Sequence, residues 1–144
     1  MLEKLIPELK RYGLRVGVLK HDAHEFEVDR EGKDSWRMTK AGADISAVAS
    51  ATHAAIMENR PVSTEELIGY LQNVDIILTE GYKHGPWPKI ALLRKATGKP
   101  LPVPAETCLA ILTDMELNTD TPCFGLDDVP ALAAWIIKDM RSRQ

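Results

Sequence analysis

The chain has 144 residues, of which 44% are hydrophobic and 27% charged, and it carries a formal net charge of −3. That length supports one α/β domain with a single core and is too short for two, so residues 1–144 read as one domain. The slight acidic balance argues against a general grip on nucleic acid, and no apolar run is long enough to cross a bilayer.

Leu2, Leu5, Ile6 and Leu9 share one face at helical spacing, so the chain opens on an amphipathic helix rather than a secretory signal. Pro7 is expected to bend that helix or fray its early turn, and Gly13 to stop it. Leu14 to Leu19 reads as the first strand, and a helix over about Asp34 to Ala41 is closed by Gly42. Ile45 to Ser50 and His53 to Glu58 suggest a hairpin whose turn has weak turn chemistry. Ser63 with Glu66 forms a capping box ahead of a helix whose apolar face is Leu67, Ile68 and Leu71.

The clearest strand is Val74, Ile76, Ile77 and Leu78, a continuous apolar run suited to a parallel strand buried on both faces. Lys89 to Arg94 is another strand, followed by a stiff extended loop over Lys99 to Pro104. Cys108 to Thr113 is a further buried strand, and Pro122 to Phe124 a short last one. Asp127 is placed to cap a final helix that turns Leu132, Ala133, Ile136, Ile137 and Met140 to the core. Helices and strands alternate, which predicts a three-layer α/β/α fold with a mainly parallel sheet. Cys108 and Cys123 lie in apolar surroundings without C-x-x-C spacing and read as two buried free thiols in a cytoplasmic protein.

The chemistry gathers at strand ends. The first strand runs into Lys20, His21 and Asp22, the clearest strand ends in Glu80-Gly81, and the Cys108–Thr113 strand ends in Asp114. In parallel sheets such termini share one rim, where open α/β folds bind ligands. An acid after an apolar strand, as at Glu80, is placed like the residue that holds Mg²⁺ directly or through water, and Lys83 and His84 follow it at once. His21 and His24, with Asp22, Glu25 and Asp29 nearby, offer a divalent metal a set of ligands, or polar contacts to a phosphate or pterin-like ligand. Gly32-Lys33-Asp34-Ser35 at a helix start offers backbone N–H groups and a cation to an anion. A Walker A loop is absent from these residues. Gly-Lys occurs only at Gly32-Lys33 and Gly98-Lys99, where Glu27 and Leu93 replace the required earlier glycine. Asp34 and Pro100 replace the Ser or Thr that should follow.

Taken in order, Lys20-His21 with His24 and Asp29, Gly32-Lys33-Asp34-Ser35, Ala41-Gly42-Ala43, Glu80-Gly81-Tyr82-Lys83-His84 and Lys89-Ile90 resemble the MobB family, the molybdopterin-guanine dinucleotide biosynthesis adapter proteins. The resemblance spans nearly the whole chain. It implies a P-loop NTPase-like fold that binds GTP with Mg²⁺, weak GTPase activity at most, and association with the nucleotidyltransferase MobA, which joins GMP to molybdopterin. Family members begin with a strand and a glycine-rich loop, whereas this sequence starts at the helix that follows them. The sequence is therefore expected to lack the first strand and its phosphate loop. A strand buried on both faces, at roughly 25 cal/mol per Å² of apolar surface, contributes several kcal/mol. Its loss predicts a weakly stable monomer, or a homodimer that pairs the open sheet edge.

On the family reading, Glu80 holds the Mg²⁺ shell with Asp22 or Asp29, and Asp114 accepts from guanine N1 and N2. Lys20, His21, Lys33 and Lys83 meet phosphates of GTP or of molybdopterin, while His24, Asp34, Ser35, Gly81 and His84 belong to a loop facing ligand or partner. Two other readings stand beside it: a nucleotide-free module that docks MobA or carries molybdopterin, and a small metal-binding protein built on His21, His24 and the nearby acids.

Overall fold

The computed structural model describes residues 1–22 and 28–143. The chain packs as two compact units, one made of Met1–His21 with Asn73–Gln144 and the other of Asp22–Gln72.

In the first unit, α1 (Leu2–Arg11) keeps Pro7 in its interior and remains one helix. Leu5 and Leu9 explain why, because both are fully buried on either side of the proline. Burying a leucine is worth about 1.5–3 kcal/mol, so the pair offsets the roughly 3 kcal/mol that an interior proline costs. After α1, β1 (Val16–Lys20) pairs in parallel with β4 (Ile76–Glu80), Val16 opposite Ile76 and Lys20 opposite Glu80. The ladder starts later than Leu14 because Arg15 is held by Asp75: its N–H donates to the Asp75 carboxylate at 2.6 Å, and its carbonyl accepts from the Asp75 N–H at 2.8 Å.

A second parallel sheet, in the order β5 (Lys89–Leu93), β6 (Cys108–Thr113) and β7 (Cys123–Phe124), lies in the same unit. The two sheets are not joined by hydrogen bonds among the described residues: β4 is laddered to β1 alone, and β5 to β6 alone. They are united through apolar packing instead. Leu5, Leu9, Ala110, Leu112, Leu132, Ala133 and Ile136 form one buried cluster, to which Val16, Ile76, Leu78 and Ile90 add partly buried side chains. Thus α1 and α4 (Val129–Ser142) cover one face of both sheets. The opposite face of β5 and β6, carrying Ala91, Leu93, Cys108 and Ile111, is covered by loop residues Leu101, Val103, Ala105 and Leu117. The architecture is α/β with parallel strand pairs.

Two sequence expectations in this unit are corrected. Asp127 does not cap α4; Asp128 occupies the N-cap, and its carboxylate accepts from the Gly125 N–H at 3.1 Å without bonding the helix. Asp127 instead pairs with Lys4 at 2.9 Å, and that ammonium holds its carboxyl below the usual range. The cysteines also differ from each other. Cys108 is buried, and burial pushes its thiol up, whereas Cys123 is exposed on the two-residue edge strand β7, with which no further strand pairs among the described residues.

The second unit contains α2 (Asp34–Lys40), the antiparallel pair β2 (Ile45–Ala49) and β3 (Ala54–Glu58), and α3 (Thr64–Tyr70). The hairpin turn that looked weak is held by one hydroxyl: Ser50 Oγ accepts from the His53 N–H at 3.0 Å and the Thr52 N–H at 3.3 Å. Half of the capping box forms, with Ser63 Oγ accepting from the Glu66 N–H at 3.1 Å. The Glu66 carboxylate turns to Arg60 rather than back to the cap. Arg60 bridges Glu66 and Glu58, and Tyr70 donates to Glu58 at 2.7 Å, which ties α3 to the end of β3.

Candidate functional site

Parallel pairing decides which chemical groups meet. Because β1 and β4 run in the same direction and in register, their last residues, Lys20 and Glu80, stand opposite each other. The chain then stays close: the His21 N–H donates to the Glu80 carbonyl at 2.9 Å. Gly81 follows with φ +90°, and a Cβ there would lie 2.7 Å from the His21 carbonyl oxygen, so only glycine lets the two strand ends approach. The turn beyond is built on aromatic rings. His21 and Tyr82 have centroids 5.3 Å apart, and Trp87 meets Tyr82 edge-on at 5.6 Å. Lys89 Nζ pins the turn by donating to the Gly85 carbonyl at 2.7 Å and the Trp87 carbonyl at 3.2 Å. A concavity of about 310 Å³ lies here, lined by Thr79, Gly81, Tyr82, Lys83, Trp87 and Lys89 above Ile90 and Val103.

The structure therefore brings Lys20, His21, Glu80 and Gly81 together, with exposed Lys83 and His84 on the following turn. Asp114 belongs to a separate rim, that of β5 and β6. Its Oδ1 accepts from the Lys95 N–H at 2.7 Å, so one of its two carboxylate oxygens is already engaged. Next to it the Thr113 hydroxyl accepts from the Met115 N–H at 3.0 Å, which sets the direction of the outgoing loop. A wider cleft of about 460 Å³ opens there, bounded by Leu93, Arg94, Lys95, Lys99, Leu101, Met115 and Leu117.

The remaining expected residues lie in the second unit. Lys33 is the N-cap of α2, with Asp34 and Ser35 in its first turn. Asp29 accepts from the Arg30 N–H at 2.8 Å through Oδ1, while its Oδ2 is buried without a partner among the described residues. Asp22 is exposed, and His24 lies outside the described residues. Among the described residues no three His, Cys, Asp or Glu side chains converge as a metal-binding group.

Sequence reasoning missed the aromatic turn and the basic cleft. Tyr82 and Trp87 among Lys83, Pro86, Pro88 and Lys89 were the available signal for the first. Arg94, Lys95 and Lys99 around Gly98 were the signal for the second.

Comparison with known proteins adds independent information. The family described as "Molybdopterin guanine dinucleotide synthesis protein B" matches residues 1–114. The molybdopterin-guanine dinucleotide biosynthesis adapter protein of Haemophilus influenzae is 41% identical over 140 residues, covering 94% of this chain and 79% of its own. The Escherichia coli protein of the same description is 35% identical, with 99% of this chain and 86% of the relative covered. Among solved structures, Bacillus subtilis MobB superimposes with a TM-score of 0.77 at 30% identity, covering 95% of this chain and 86% of that one.

Proposed function

Since the chain belongs to the MobB family of molybdopterin-guanine dinucleotide biosynthesis adapter proteins, we propose that it acts by binding GTP with Mg²⁺ and presenting itself to the MobA nucleotidyltransferase that joins GMP to molybdopterin. One observation carries the nucleotide part: the parallel register that sets Lys20 beside Glu80 at the open end of β1 and β4. A cation and a carboxylate at that edge suit a magnesium–phosphate pair, the lysine meeting phosphate oxygens and the glutamate meeting the metal shell.

The donor set fits Mg²⁺ of this kind and does not fit a resident ion. Among the described residues no three-ligand group forms, and Glu80 supplies one carboxylate at the end of β4. Magnesium is commonly held by one or two carboxylates, with substrate phosphates and water completing its shell, so the ion would arrive with the nucleotide. Bound there, it would neutralise phosphate charge. Lys20, Lys83 and His21 then orient the phosphates, and Tyr82 shields one side of the rim.

The second unit supports the homodimer. Ile45, Ala47, Ala49, Ala54 and Ile56 share one face of the β2–β3 pair, and all five are exposed. The other face carries Ser46, whose hydroxyl meets that of Thr39 on α2 at 3.1 Å. A two-stranded hairpin is marginal alone, and a second copy offers it a matching apolar face.

Isothermal titration with GTP and Mg²⁺ tests the nucleotide reading. Saturable, magnesium-dependent heat that Glu80→Ala abolishes is the expected result. Binding to MobA with no heat from GTP would favour instead a nucleotide-free docking module.

A further inference from the structure

We propose that the cleft at the ends of β5 and β6 is a second ligand site, one that takes a planar-ring compound bearing a phosphate or carboxylate. Its volume of about 460 Å³ falls within the size range of small-molecule sites. The lining divides by chemistry. Leu93, Leu101, Met115 and Leu117 supply apolar lining, and Arg94, Lys95 and Lys99 line the cleft with them.

Those three cations are not neutralised. Among the described residues none of them forms an ion pair, although ion pairs occur elsewhere at Lys4, Arg11, Arg60 and Arg143. Glu106 is the nearest acid in sequence and does not line the cleft, and Asp114 and Glu116 flank Met115. Asp114 directs Oδ1 to the Lys95 backbone N–H, and neither it nor Glu116 lines the cleft. The loop that carries the cations is also shaped in advance. The Thr97 hydroxyl donates to the Arg94 carbonyl at 2.9 Å, and the Gly98 N–H donates to the Lys95 carbonyl at 3.1 Å, which fixes Lys95 and Lys99 on either side of a tight turn. A ring laid on that lining removes apolar area from water. Its anion then meets three cations carried on a loop whose backbone is already fixed.

Guanine nucleotides and pterin phosphates share this chemistry, and the proposal rests on the adapter reading only for that choice of rings. The test is an NMR titration of the whole chain, followed through backbone amides and methionine methyls. The probes are GMP, pterin-6-carboxylate, guanosine and inorganic phosphate. GMP or pterin-6-carboxylate should shift the signals of Lys95, Gly98, Met115 and Leu117, and whichever binds more tightly identifies the ring. Guanosine, which lacks the anion, should bind about tenfold more weakly than GMP, the worth of one hydrogen bond to a charged group. Lys95→Glu and Lys99→Glu should each weaken the anionic probe by about tenfold or more on the same basis.

Shifts confined to the β1–β4 rim, phosphate binding as tightly as GMP, or charge reversal without effect would each overturn the proposal. Glu80→Ala keeps the two readings apart. It should remove magnesium-dependent GTP binding while leaving the cleft titration unchanged, so either reading can fail without the other.

Discussion

The two units are stabilised by different means. The unit made of Met1–His21 and Asn73–Gln144 closes around Leu5, Leu9, Leu112 and Leu132, all at or below 1% exposure. The unit of Asp22–Gln72 contains no buried side chain among its described residues. Its Ile56 is 67% exposed and its Ile45 59% exposed. What holds it internally is polar: the Arg60 bridge between Glu58 and Glu66, the Tyr70–Glu58 bond, and the Ser50 turn. Apolar burial involves no titrating group, whereas exposed ion pairs contribute little and are screened by salt. The same chain should therefore contain one region of ordinary stability and one that depends on conditions and partners.

Removing core volume should produce the largest effect. Leu112→Ala or Leu132→Ala deletes fully buried atoms of the cluster beneath α1 and on α4, and loss of about 2–5 kcal/mol is expected in urea unfolding. The matching change in the other unit, Ile56→Ala, should stay within about 0.5 kcal/mol for the monomer. Equal losses from the two would erase the distinction.

Gly81→Ala comes next. It places a Cβ 2.7 Å from the His21 carbonyl at a positive φ, and about 1–3 kcal/mol of strain is expected. Because that strain falls on the Lys20–Glu80 rim, nucleotide affinity should fall together with stability. An alanine variant of wild-type stability and affinity would show that the strand ends are not held so closely.

Charge on the exposed hairpin face sharpens the comparison from the other side. Ile56→Asp should leave the folded monomer intact and weaken self-association by about tenfold or more, read by sedimentation velocity, since one buried isoleucine is worth about 1.5–3 kcal/mol. An unchanged dimer, or a monomeric wild-type protein, would remove this face as the contact.

The smallest effect concerns pH. Hydrogen bonding to Arg60 lowers the Glu66 carboxyl, so its contribution is present above the unfolded carboxylate range and is lost as pH falls through the lower folded value. Tyr70 has the opposite sign. Its bond to Glu58 raises it, so that contribution is complete below about pH 10 and disappears as pH rises through the higher folded value. Amide exchange in β3 and α3, corrected for its intrinsic pH dependence, should therefore accelerate at both extremes before it does so in β6. Arg60→Ala should flatten the acid limb and leave the alkaline one, because Arg60 lowers Glu66 but does not raise Tyr70.

Much of this was legible in the residues. Period and composition placed nearly every helix and strand, because the apolar stripe of α4 and the continuous run of β4 are local properties. The lysine and the acid of the first rim were also visible, as polar residues that end apolar strands. Two small errors had local causes. Asp127 and Asp128 are neighbours with equal capping chemistry, and their bonds to Lys4 and to Gly125 distinguish them. Cys123 lies between Pro122 and Phe124, in a strand that turned out to be an edge.

By itself, then, the sequence determined the element types, the family and the list of polar groups that end the strands, all of which depend on neighbours along the chain. Only the tertiary structure decided which of those groups meet. Strand register set Lys20 against Glu80, sheet order assigned Asp114 to a different rim with Lys95, and loop packing placed Arg94, Lys95 and Lys99 around one cleft. The physical reason is distance along the chain: these pairings join residues far apart in sequence, and their energies come from ladders and packing that no local pattern encodes.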